Sequence, residues 1–149
     1  MSIVRDKLAE IIDNLSNTGI INSKIITEDG IVIISTDSEN QVKNENNNIN
    51  EAVSASIMSI AEKGLEILNE NLILEQIKID VGIDDNIEND FMIIIDRICL
   101  NLLLLVLAPK RINIGIIHYE TNKSISKIKK IISDNSLEDH KRFKELLIL

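Results

Sequence analysis

Apolar and polar positions alternate along the chain in two distinct periods, and these periods predict its elements. Val4, Leu8, Ile11 and Leu15 recur at helical spacing, so residues 3–15 read as a helix that Ser2 can cap and that stops before Gly19. Ile20–Thr27 and Ile31–Ser35 are rich in Ile and Val and are separated by Glu28-Asp29-Gly30. An Asp-Gly step between two such runs signals a hairpin, because glycine tolerates positive φ. Residues 37–50 are polar and read as a loop. Residues 51–70 read as a long helix. Val53, Ile57, Ile60, Ala61, Gly64, Ile67 and Leu68 form its broad apolar face, with Met58 and Leu65 at the edge. The other side of this helix opens with small residues, Ala52, Ala55, Ser56 and Ser59, followed by Lys63 and Glu66. A solvated face more often carries long charged side chains, whereas small ones let another backbone come close.

Gln76–Ile83 alternates strictly. Ile77, Ile79, Val81 and Ile83 point one way, and Gln76, Lys78, Asp80 and Gly82 the other, as in a half-exposed strand. Asp84–Asp90 reads as a turn. Phe91–Ile95 and Leu100–Leu107 are apolar on both faces and suit central strands covered by helices on both sides, with Asp96-Arg97-Ile98-Cys99 read as their connection. Pro109 ends the last strand, and Asn113–Ser133 reads as a helix with Ile117, Ile125, Ile128, Ile131 and Ile132 apolar. Ser136-Leu137-Glu138-Asp139 has the form of a capping box opening a short terminal helix that presents Leu137, Phe143, Leu146 and Leu147. Those four are candidates for holding a partner, although packing on their own domain is the simpler reading. The fold class is therefore α/β (α+β): one five-stranded, mostly antiparallel sheet between one long helix and two helices, with a short C-terminal helix.

Composition changes the picture only at the margins. The 149 residues suit one domain, and at 44% apolar and 27% charged the chain looks globular. Aromatics are 2%, so the core must be aliphatic. A net charge of −8 leaves no basic face for nucleic acid; Lys123, Lys127, Lys129 and Lys130 share one helix and read as a solvated face. Cys99 is the single cysteine and reads as a small buried hydrophobe in a reducing compartment. The longest clean apolar run, Leu102–Ala108, is far short of the ~20 residues that span a bilayer, so no membrane insertion and a cytoplasmic location are expected.

No constellation for catalysis emerges. The five glycines form neither a P-loop nor a dinucleotide fingerprint. His118, His140 and Cys99 do not make a zinc signature. Asp84-Asp85-Asn86, Glu88 and Asp90 lack the spacing of a calcium loop and read as a solvated acidic turn. Ser35, Ser54 and Ser56 have no neighbouring histidine. No cofactor, no metal and no enzymatic activity are expected.

Three segments carry a family likeness: Ile25-Ile26-Thr27-Glu28-Asp29-Gly30-Ile31-Val32-Ile33 as first hairpin, Glu51-Ala52-Val53-Ser54-Ala55-Ser56-Ile57 opening the middle helix, and Leu102–Leu107 followed by Asn113-Ile114-Gly115-Ile116-Ile117. In their order and spacing they resemble the roadblock / dynein light chain family, over residues 3–133. The resemblance divides the chain into a roadblock-like domain, 1–133, and a helical extension, 134–149. It departs from the family in the Asn-rich loop at 37–50 and in the connection near Ile98-Cys99.

The resemblance implies the three-layer sandwich shared by roadblock proteins and profilins. It also implies a dimer whose middle helices lie side by side and whose third strands join two sheets into one. That assigns the contact to Ala52, Ala55, Ser56, Ser59 and Lys63 and to Gln76, Lys78 and Asp80. The small-residue face read from the pattern alone is the same patch. A two-fold axis near Ile79 would set Lys78 opposite Asp80 of the other chain. The resemblance further implies a non-catalytic scaffold or regulator, paired with itself or with another roadblock protein, that binds a Ras-like small GTPase and could stimulate hydrolysis. Arg5, Arg97, Arg111 and Arg142 are scattered, and none lies on the middle helix to serve as an arginine finger. The alternative is a structural light chain bridging motor or membrane-bound complexes.

Overall fold

A computed structural model describes residues 3–36, 51–82, 90–99 and 101–135. Eight elements follow in chain order: α1 (Ile3–Ser16), β1 (Asn22–Thr27), β2 (Val32–Ser35), α2 (Glu51–Leu65), β3 (Gln76–Val81), β4 (Phe91–Cys99), β5 (Leu102–Pro109) and α3 (Ile114–Asp134). The strands form one sheet in the order β2-β1-β5-β4-β3, and every pairing is antiparallel. The expected fold class holds. The terminal-helix residues Leu137, Phe143, Leu146 and Leu147, the loop at 37–50 and most of the acidic turn lie outside the described residues.

The continuous apolar runs became the middle of the sheet, as two-sided burial requires. All eight residues of β5 are buried. Leu102, Leu104, Val106 and Ala108 face α1 and α3 together with Leu8, Ile12, Ile117 and Ile128; Leu103, Leu105 and Leu107 face α2 together with Ile26, Ala55, Met58 and Ile95. Each fully buried Leu or Ile contributes roughly 1.5–3 kcal/mol, so aliphatic side chains alone hold this core. α1 and α3 thus cover one face and α2 the other.

Two boundaries differ from expectation. Asp96-Arg97-Ile98-Cys99 is not a connection: β4 runs through it to Cys99, and β5 begins at Leu102. The strand accommodates Asp96 and Arg97 because each is answered by polar groups on its own face, and a register shift between Arg97 and Cys99 absorbs the irregularity. The middle helix stops at Leu65 rather than near residue 70, leaving Ile67 and Leu68 in the turn that follows.

The first hairpin closes as its sequence demands. Thr27 N–H donates to Ile31 O and Gly30 N–H to Thr27 O, both at 2.9 Å, and Gly30 sits at φ +87°. A Cβ on Gly30 would lie 2.8 Å from Ala52 Cα, so the turn presses against the first turn of α2. At α3, Asn113 caps the helix by accepting from Gly115 N–H at 2.8 Å. Gly30→Ala combines a left-handed backbone with a backbone overlap. It should lower stability by about 2 kcal/mol in urea unfolding, the left-handed conformation alone accounting for roughly half.

Candidate functional site

The sheet has one thinly covered corner. β3 is its last strand on one side, and among the described residues α2 is the one helix on the face to which Ile77, Ile79 and Val81 point. Helix α2 lies over β5 and its neighbours, so Ile77, Phe91 and Ile93 at the β3–β4 end remain only partly buried. On the opposite face Gln76, Lys78 and Asp80 are exposed, as their alternation predicted. Lys78 Nζ stands 3.5 Å from Asp80 Oδ1 along the strand.

Helix α2 is rotated relative to the expectation from its sequence. Ser54, Ala55 and Met58 face the sheet, whereas Val53 and Ile60, expected in the core, are 54% and 70% exposed. Ala55 is 4% exposed and belongs to the α2-side core, which removes it from the predicted contact surface. Ala52, Ser56, Ser59 and Lys63 are exposed as expected. Ser56 Oγ donates to Ala52 O at 2.8 Å, so this hydroxyl is occupied by its own helix. Beside this small-residue strip runs an aliphatic one: Val53, half-buried Ile57 and Ile60, then Ile67 and Leu68, 90% and 73% exposed. Soluble chains leave single apolar side chains exposed; here several stand exposed along one side of α2 and in the turn after it.

Two ion pairs set the rotation. Glu51, at the start of α2, pairs with Lys24, which β1 buries beneath the helix. Eleven residues later, three helical turns on and therefore on the same line, Glu62 Oε2 accepts from Arg97 Nη2 at 2.8 Å. Arg97 is 9% exposed on β4. Its Nε donates to Leu74 O at 2.9 Å, tying the segment before β3 to the same clamp, and Glu28 Oε2 of the hairpin turn stands 3.9 Å away. A polar cleft of about 190 Å³ lies here, lined by Glu28, Asp29, Ser59, Glu62 and Arg97 over Ala55, Met58 and Leu103. Within it the Glu62–Arg97 pair ties α2 to β4. The sequence reading missed Lys24, Glu62 and Arg97. The available signal was a basic residue directly beside an Ile-rich run in each of two β segments, Lys24 before Ile25-Ile26 and Arg97 after Ile93-Ile94-Ile95-Asp96.

Asp96, next to Arg97 but on the α1/α3 face, is 5% exposed. Its Oδ1 accepts from Gln76 Nε2 at 2.6 Å, while Oδ2 has no donor among the described residues. Burial pushes the carboxyl above the usual carboxylate range; the Gln76 hydrogen bond and the charge of His118 on α3 pull it partly back. Among the described residues no group of three or more His, Cys, Asp or Glu could hold a metal ion, and no helix is long and apolar enough to cross a membrane.

Helices split two to one across a five-stranded antiparallel sheet in this order define the roadblock fold. Among solved structures the chain is similar to MglB of Myxococcus xanthus, at 14% identity and a TM-score of 0.69, over 90% of this chain and 93% of that one. A roadblock/LC7 domain from Streptomyces avermitilis matches at 12% identity and TM-score 0.64 over 84% and 97%. The gliding protein MglB of Thermus thermophilus matches at 10% and 0.65 over 90% and 94%. At these identities the likeness is one of fold. No protein-family model and no curated protein matches the sequence.

Because folding raises the Asp96 pKa, the folded state holds this proton more tightly than the unfolded chain. The stability this contributes is complete below the unfolded value near 3.8 and is lost as pH rises through the folded value. Asp96→Asn should therefore unfold at higher urea than the parent at pH 7, and the difference should shrink toward zero near pH 3.

Proposed function

We propose that the chain is a non-catalytic scaffold that works as a dimer, with two copies packing their α2 helices side by side and joining their sheets through β3. The observation that carries this reading is the outward-turned aliphatic row Val53, Ile57 and Ile60 on α2, flanked by Ala52, Ser56, Ser59 and Lys63, together with the only partly buried Ile77, Phe91 and Ile93 of β3 and β4. Water against such a surface is unfavourable by about 25 cal/mol per Å², and small neighbours allow a second helix to approach closely. The edge of β3, which no described strand pairs, is a second surface that pairing would satisfy. Pairing with a different roadblock chain would use the same surfaces.

A dimer of this kind presents two α2 helices, and the α2 surface left outside the seam, on one side of a ten-stranded sheet. The partner this platform best fits is a Ras-like small GTPase, as the roadblock resemblance implies and as the fold likeness to MglB proteins supports. No arginine is placed to enter a GTPase active site from α2, and Arg97 is held beneath it. Any stimulation of hydrolysis would therefore act through the GTPase's own loops.

Ile60→Glu tests the assembly. Two copies of the change fall in one seam, each removing roughly 1.5 kcal/mol of apolar burial, so dimer association measured by sedimentation should weaken about a hundredfold with unchanged circular dichroism. For the partner, Ras-like GTPases from the same genome would be mixed with the chain in their GDP and GTP forms. Co-elution of at least one, lost with Ile60→Glu, is the expected result; binding of none in either nucleotide state overturns the GTPase reading.

A further inference from the structure

Resting on the dimer reading, we infer that β3 selects a second copy of this same chain in one register, centred on Ile79. The backbone fixes which residues the open edge offers. Arg97 N–H donates to Glu75 O at 2.8 Å, and Gln76 to Val81 then pair with Asp96 to Phe91. In an antiparallel ladder, hydrogen-bonded and non-hydrogen-bonded pairs alternate. Ile77, Ile79 and Val81 therefore turn their backbone groups to β4. Gln76, Lys78 and Asp80 direct theirs to the side where no described strand lies.

A second β3 added antiparallel must place these same residues in its hydrogen-bonded pairs, which leaves few registers. Centred on Lys78 or on Asp80, the register sets like charges face to face. Centred on Ile77, it pairs Lys78 with Gln76 of the copy. Centred on Ile79, it sets Lys78 across from Asp80 of the copy, twice, and closes hydrogen-bonded pairs there. Lys78 and Asp80 already stand 3.5 Å apart in one chain, both substantially exposed. The symmetric pair completes a square of four charges in which every side joins opposite signs. The order neutral, positive, negative along the edge is self-complementary about Ile79, so the strand carries its own recognition code for a homodimer.

Charge exchange tests this directly. In a Lys78→Glu homodimer both cross-strand pairs are acidic, and in an Asp80→Lys homodimer both are basic. Each variant alone should dissociate about tenfold more readily than the parent. Mixed in equal amounts, the Lys78→Glu chain meets the Asp80→Lys chain with both pairs opposite in sign, and the heterodimer should form as tightly as the parent dimer. In a Cys99→Ser background, Ile79→Cys places two sulfurs on the axis, where facing Cα atoms lie about 4.5 Å apart, and should give a disulfide-linked dimer on oxidation. Lys78→Cys, about 8–9 Å from its own copy, should not. A parent dimer indifferent to both charge variants, or a mixture no tighter than either variant alone, overturns the register while leaving the α2 dimer in place. A parent chain that sediments as a monomer overturns both.

Discussion

The surface of this protein depends on how one helix is turned about its own axis. Lys24 and Arg97 rise from the sheet beneath α2 and take Glu51 and Glu62, three turns apart on one helical line. A salt bridge on the surface is worth little, because water screens it. These pairs have one partner buried in the sheet, and an unpaired buried cation is unfavourable by several kcal/mol. A rotation of α2 that would tuck Val53 and Ile60 inward would strand Lys24 and Arg97. The aliphatic row therefore stays outside, and the inner line is left to Ser54, Ala55 and Met58.

The same clamp links parts of the fold that are remote in sequence. Arg97 also holds the carbonyl of Leu74, just ahead of β3, and stands near Glu28 in the first hairpin. Gly30 in that hairpin meets Ala52 at backbone distance. Hairpin, middle helix and edge strand are thus registered to one another at the surface where the roadblock resemblance places the dimer. Asp96, one residue from the clamp and pointing the other way, reaches Gln76 at the start of β3. The edge strand is accordingly fastened on both faces, from Arg97 through the preceding backbone and from Asp96 through a side chain.

Much of this was legible in the chain as a string. Burial on both faces of β4 and β5 follows from unbroken runs of Ile, Leu and Val, half-exposure of β3 from strict alternation, and the hairpin from Asp29-Gly30. Asp96-Arg97 misled for an equally physical reason. Two charges in an apolar run ordinarily mark a turn, and only partners brought from elsewhere, Gln76 on one face and Glu62 on the other, let a strand continue through them.

The order of elements, the two-sided core and the position of the open edge were determined by the sequence, because they rest on periodicity and local backbone preference, which neighbouring residues decide. The direction α2 faces was decided only in the tertiary structure. Its helical wheel offers an aliphatic side and a small-residue side, and hydrophobicity alone assigns the first to the core. The side chains that reverse this choice come from β1 and β4, 27 and 35 residues away from their partners in the chain. A pattern read along one helix carries no information about charges waiting beneath it.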